Sequence, residues 1–144
     1  MNGTFLSKKE ASISVFDRGF LFSDSVYEVT AVIEGSLVDW QEHFARLIRS
    51  LDHLDLVNNF QEEDFYQIQK KLIKENKLKE GLCYVQVTRG VAERDFNFAK
   101  SSLMPTMVIF TQEKSILKNP ACKVGIKIIT VPDNRWRRRD IKTT

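Results

Sequence analysis

The chain has 144 residues, 42% hydrophobic and 28% charged, which fits one domain with a real core comfortably and two poorly. Its 22 basic and 19 acidic residues leave a net charge of +3, too balanced to mark a nucleic-acid or membrane-surface protein. No apolar run reaches the roughly 20 residues that span a bilayer, the start lacks a signal-peptide core, and His43 and His53 do not make a histidine-rich metal site. These totals point to a cytoplasmic protein with no metal.

In chain order, Ile13 to Phe16 reads as a short strand, followed by the turn-rich stretch F-D-R-G-F-L-F-S-D-S. V-Y-E-V-T-A-V-I from Val26 to Ile33 has the β-branched content of a strand. Glu34-Gly35 is a tight turn and S-L-V-D-W returns, so 26–40 reads as a hairpin. Trp40, Phe44, Leu47, Ile48, Leu51 and Leu54 then recur at helical spacing, with Asp39 as the N-cap.

A second helix is expected over 62–76, with Phe65, Ile68, Leu72 and Ile73 inward and Glu62, Glu63 and Asp64 in its first turn. Past a break at Gly81, L-C-Y-V-Q-V-T-R alternates, Cys83, Val85 and Val87 facing one way. M-V-I-F-T and V-G-I-K-I-I-T-V supply two more strands. Cys83 and Cys122, far apart and in or beside strand-like segments, read as reduced core thiols. Strands, two helices, then strands again predict an α+β, two-layer domain on a mainly antiparallel sheet, occupying 1–144.

Four places depart from what a core or a solvated surface requires. D-R-G-F-L-F-S-D-S-V-Y-E-V at 17–29 reads either as a plain loop entering a strand, Tyr27 half-buried and Glu28 on the opposite face, or as something more. Arg46 lies about 135° from the centre of its helix's apolar stripe, which favours a solvent-facing arginine. T-R-G-V-A-E-R-D-F-N-F-A at 88–99 joins two strands, where binding groups collect, and Arg94 there either clamps a carboxylate or is solvated. At the end, Arg135, Arg137, Arg138 and Arg139 would suit phosphates but lack interleaved aromatics, and Lys142 follows a hydrophobic residue as a Schiff-base nucleophile would.

In this order and spacing, N-G-T-F, I-S-V-F-D-R-G-F-L-F-S-D-S-V-Y-E-V, E-H-F-A-R-L-I-R-S-L, Y-V-Q-V-T-R-G-V-A-E-R and D-N-R-W-R-R-R-D-I-K resemble the class IV (fold-type IV) pyridoxal-phosphate aminotransferases, most of all the D-amino acid transaminase branch. They cover the chain almost end to end. The resemblance implies the family's small N-terminal α/β domain, continued just past the lysine, with the larger cofactor-binding domain missing and the piece inactive by itself.

It also implies roles. Lys142 would bind pyridoxal 5′-phosphate covalently and carry the proton between substrate Cα and the cofactor's C4′. Arg46 would hold the cofactor phosphate. Tyr27 and Arg94 would receive the substrate carboxylate and Val29 would line that pocket. Arg94 would reach across from a neighbouring subunit, so a homodimer is expected, acting on small amino and keto acids such as D-alanine and 2-oxoglutarate.

Two departures stand out. The family often has F-G-D-G where this chain has F-S-D-S. Phe96 stands where D-alanine transaminases commonly have a carboxylate-binding histidine, and phenylalanine donates no hydrogen bond. Aminodeoxychorismate lyase and branched-chain aminotransferase are the alternatives within the fold, and a non-catalytic dimerising domain is the alternative outside it.

Overall fold

A computed structural model of the chain describes residues 1–56, 60–97, 103–134 and 137. Helix α1 (Arg18–Phe22) leads into β1 (Ser25–Ile33) and β2 (Ser36–Leu37). Then follow α2 (Trp40–His53), α3 (Glu62–Glu75), β3 (Glu80–Thr88), β4 (Thr106–Glu113) and α4 (Ala121–Val124). The sheet is antiparallel in the order β2-β1-β3-β4, so the expected α+β domain is the fold observed.

Two positive-φ residues, Glu34 at 51° and Gly35 at 76°, close the β1–β2 hairpin, the geometry whose twist suits a two-residue turn. On β1, Val26, Glu28, Thr30 and Val32 are buried on one face while Tyr27 stands out on the other. The buried face of β1 and β3 packs under α2 and α3. Leu47 and Leu51 of α2 join Phe65, Val26, Val85, Val87 and Met107 in one cluster, and Val32, Ile73, Leu78 and Cys83 form a second. Each large side chain fully buried there contributes about 1.5–3 kcal/mol.

Several expectations need correction. Asp39 occupies the N-cap of α2 but makes no side-chain cap bond. Its φ of 48° is left-handed, whereas a capping side chain needs extended backbone to reach the first-turn amides. Leu54 falls at the C-cap and is exposed rather than on the stripe. On α3, Gln69 shares the inward face with Phe65 and Ile73, its amide donating to the Phe65 carbonyl and its oxygen accepting from the Cys83 thiol.

Residues 13–16 form no strand: the Asp17 amide donates to the Ser14 carbonyl, turning the chain, and a lone bridge from Asp17 to Val91 replaces a ladder. Gly81 is no break either but lies inside β3, where a Cβ would meet the Gln112 carbonyl oxygen at 2.1 Å. The apolar alternation over 124–131 also yields no strand, because Ile126, Ile128, Ile129 and Val131 are exposed and pair with none of the described strands.

The two cysteines are free, as expected, but only Cys83 is in the core; Cys122 is exposed on α4. Burial pushes the Cys83 thiol up to about 12, far from the thiolate that alkylating agents attack. Iodoacetamide at pH 8 should therefore label Cys122 in the native protein and leave Cys83 intact until denaturant is added. Peptide mapping by mass spectrometry reads both sites.

Candidate functional site

Glu28 occupies an inward position of β1 and is buried beneath α2. A carboxylate at such a place requires partners. Arg46 supplies a two-point fork, its Nε donating to Oε1 at 2.6 Å and its Nη2 to Oε2 at 2.8 Å. One turn earlier on the same helix, His43 Nδ1 lies 2.7 Å from Oε2. A carboxylate only accepts, so that nitrogen carries the hydrogen. Burial raises the Glu28 pKa, but the hydrogen bonds and charge of Arg46 and His43 outweigh it and hold the group below the usual range.

The periodicity reading of Arg46 is thus half right. Its side chain is 55% exposed, yet its inner edge is tied to a buried group that the helical wheel does not show. Of the five N–H donors on a guanidinium, Nε–H and one from Nη2 serve Glu28, while Nη1 makes no hydrogen bond among the described residues.

Tyr27 and Val29 sit on the opposite sheet face. Tyr27, expected half-buried, is exposed, because the helices cover the Glu28 side instead. Its ring stacks on Tyr84 at 5.8 Å and Tyr84 stacks on Phe110 at 4.8 Å, an aromatic row across three strands. Val29 pairs in register with Tyr84 and is half-buried.

A third group of residues fixes the loop after β3. Asp24 accepts from Arg18 Nε at 2.9 Å and from Arg89 Nε at 2.8 Å. Burial raises its pKa, and the two arginines outweigh that and lower it. Arg89 continues to the carbonyls of Leu54 and Asp55 at the end of α2, and Arg18 reaches the Asp95 carbonyl at 3.0 Å. Ser23, where the resemblance expects glycine, keeps a left-handed φ of 54° at the end of α1. Arg94 is exposed, its guanidinium 4.9 Å from the Phe96 ring and 5.4 Å from the Phe22 ring.

Among the described residues, no hydrogen bond or ring contact joins Arg46, Tyr27 and Arg94. Lys142 lies outside the described residues, as do Arg135, Arg138 and Arg139. The sequence assigned no role to Glu28, His43, Asp24, Arg18 or Phe22, although four of them lie in the stretch 17–29 that stood out. Glu28 had a usable signal: a charge in phase with Val26, Thr30 and Val32 on one strand face must find a counter-charge.

The family model described as Amino-transferase class IV matches residues 25–144. The chain belongs to the class IV aminotransferases. Among curated relatives of this class IV chain, D-alanine aminotransferase of Staphylococcus aureus (strain MSSA476) is 37% identical over 147 residues, covering 99% of this chain and 50% of that protein. D-alanine aminotransferase of Bacillus licheniformis is 33% identical over 144 residues, with the same two shares. The chain spans about half the length of the curated relatives it matches.

Solved class IV structures share the fold. The branched-chain amino acid aminotransferase of Escherichia coli superposes with a TM-score of 0.74 at 14% identity, over 83% of this chain and 40% of that one. A second branched-chain amino acid aminotransferase, solved with pyridoxamine 5′-phosphate, gives 0.74 at 20% identity over the same shares. 4-Amino-4-deoxychorismate lyase from Pseudomonas aeruginosa gives 0.64 at 21%, over 94% and 42%.

Proposed function

We propose that this chain is the N-terminal part of a pyridoxal-5′-phosphate-dependent transaminase that moves an amino group between D-amino acids such as D-alanine and 2-oxoglutarate. The observation that carries the reading is Arg46. Its fork on buried Glu28 fixes the guanidinium on rigid elements, and the N–H donors left over on this half-exposed side chain have the chemistry to take phosphate oxygens. The donor set therefore fits the cofactor's phosphate. The D-alanine aminotransferase relatives at 33–37% identity favour the D-amino acid branch over the lyase and branched-chain readings, whose solved structures are under 25% identical.

When bound, the cofactor supplies the electron sink that stabilises the carbanion at the substrate's Cα. This chain's residues would do the rest. Arg46 anchors the phosphate end. Lys142 would carry the proton from Cα to the cofactor's C4′ in one half-reaction and back to the Cα of the second substrate in the other, transfers that a positioned base accelerates. Tyr27 and Arg94 hold the substrate carboxylate, fixing which face of Cα meets the lysine and so the stereochemistry. Val29, beside Tyr27, lines the pocket. The full protein would work as a cytoplasmic homodimer, Arg94 of one subunit serving the site of the other.

Arg46→Ala in the full-length protein should weaken pyridoxal 5′-phosphate binding on the order of 10- to 100-fold, as expected for charge-assisted hydrogen bonds. Binding of pyridoxal, which lacks the phosphate, should change less than about 2-fold. Equal loss for both aldehydes would remove Arg46 from the phosphate. Amino transfer from D-alanine to 2-oxoglutarate, read by the pyruvate formed from D-alanine, separates this reading from lyase activity on aminodeoxychorismate.

A further inference from the structure

We propose that Phe96, together with Phe22, is a positioning residue that holds the Arg94 guanidinium over aromatic rings and leaves its N–H donors for an incoming carboxylate. The inference rests on the reading of Arg94 as the substrate-carboxylate group. Among the described residues the Arg94 guanidinium donates no hydrogen bond, and its contacts are the two rings. A cation over an aromatic face is drawn by the ring's quadrupole, which holds the charge in place without pairing its N–H groups with an acceptor. An ordinary salt bridge would restrain Arg94 too, but it would use the donors that a substrate needs.

The rings are themselves fixed. Phe22 and Phe96 meet at 5.8 Å with a 59° tilt, close to an edge-to-face pair. On the inner side of Phe22 lies the buried Arg18, its guanidinium carbon 4.8 Å from the ring centroid. The same Arg18 is anchored to Asp24 and donates to the carbonyl of Asp95, the residue between Arg94 and Phe96. The Asp95 carboxylate in turn accepts from the Asn97 amide at 3.1 Å. The backbone is thus pinned midway between the arginine and the Phe96 ring beside it. Two residues apart on a pinned loop, the side chains of Arg94 and Phe96 can meet without a long entropic search.

This arrangement gives the phenylalanine a function that its chemistry allows. It has no donor with which to bind a carboxylate. It acts on the arginine, and substrate is recognised in the plane of that guanidinium by a two-point contact. Carboxylate selectivity then depends on one cation kept in orientation by rings, with no second donor from position 96.

Steady-state kinetics of the full-length protein with D-alanine and 2-oxoglutarate test this. Phe96→Leu keeps apolar bulk and removes the ring; it should raise KM for both substrates about 3- to 5-fold. kcat and cofactor affinity should stay within about 2-fold. Phe96→Tyr and Phe96→Trp should keep the parent KM, because the π face remains. An unchanged KM in Phe96→Leu, or an equal rise in all three variants, would overturn the proposal. So would a fall in cofactor affinity that parallels KM, which is the mark of a merely structural side chain. Arg94→Ala is the separate check on the underlying reading: it should raise KM far more than Phe96→Leu does. If it leaves KM unmoved, both readings fall; if only Phe96→Leu leaves it unmoved, Arg94 stands and Phe96 does not.

Discussion

Replacing Lys142 with alanine in the full-length protein is expected to lower transamination by at least about 1000-fold, the upper range for losing a positioned proton-transfer group. Borohydride reduction in the presence of pyridoxal 5′-phosphate should then fix no cofactor at peptide 140–144. The reason is chemical. A lysine amine becomes a nucleophile at neutral pH only when its pKa falls, through desolvation or a neighbouring positive charge. Arg137, Arg138 and Arg139 precede Lys142 by three to five positions in the sequence and would supply the charge. Lys142→Arg preserves the charge but not the chemistry, since a guanidinium stays protonated and makes no covalent link to an aldehyde. It should be as inactive as the alanine variant. A label that persists at full stoichiometry in either variant would assign the covalent lysine elsewhere, and mass-spectrometric mapping would say where.

Gly90→Ala is expected to destabilise the protein by about 4 kcal/mol, lowering its melting temperature by roughly 10 °C. Two effects add. The φ of +104° lies in a region that side-chain-bearing residues rarely adopt, and a Cβ there would stand 2.0 Å from the Met104 carbonyl oxygen. Relaxation is blocked from both sides. The Gly90 amide donates to Thr88 Oγ1 at 3.0 Å, and its carbonyl accepts from the Arg18 amide at 2.9 Å. The same contacts orient the loop that carries Arg94, so activity should fall with stability. Gly125→Ala is the control: φ is +74° but nothing lies within 4 Å, and the loss should be only about 1–2 kcal/mol. Equal melting shifts in thermal denaturation of the two variants would mean that the contact with Met104 carries no weight.

The helices and the central strands were legible from periodicity because their apolar residues fall in phase: Leu47 with Leu51, Phe65 with Ile73, and Cys83 with Val85 and Val87. The alternation over 124–131 misled for the opposite reason. A strand is a pairing, and a one-dimensional pattern carries no information about whether an edge is available. Residues 13–16 failed likewise, since a turn at Ser14–Asp17 left a single bridge where a ladder was expected.

The assignments of Arg46 and Arg94 came from motif resemblance, because each residue taken alone looks like a solvated surface arginine. What the sequence by itself determined is the family, the order of β1, β2, α2, α3, β3 and β4, and most of their inward positions, since these depend on local period and on motifs a few residues long. Tertiary structure decided the partners: that Arg46 bends back to a carboxylate 18 positions away, that Tyr27 faces away from the helices, and that Arg94 rests on Phe22 and Phe96. The contacts of Arg46 with Glu28 and of Arg94 with Phe22 join residues far apart in the chain, and only the packing of α1 and α2 against one sheet brings their charges and rings within reach.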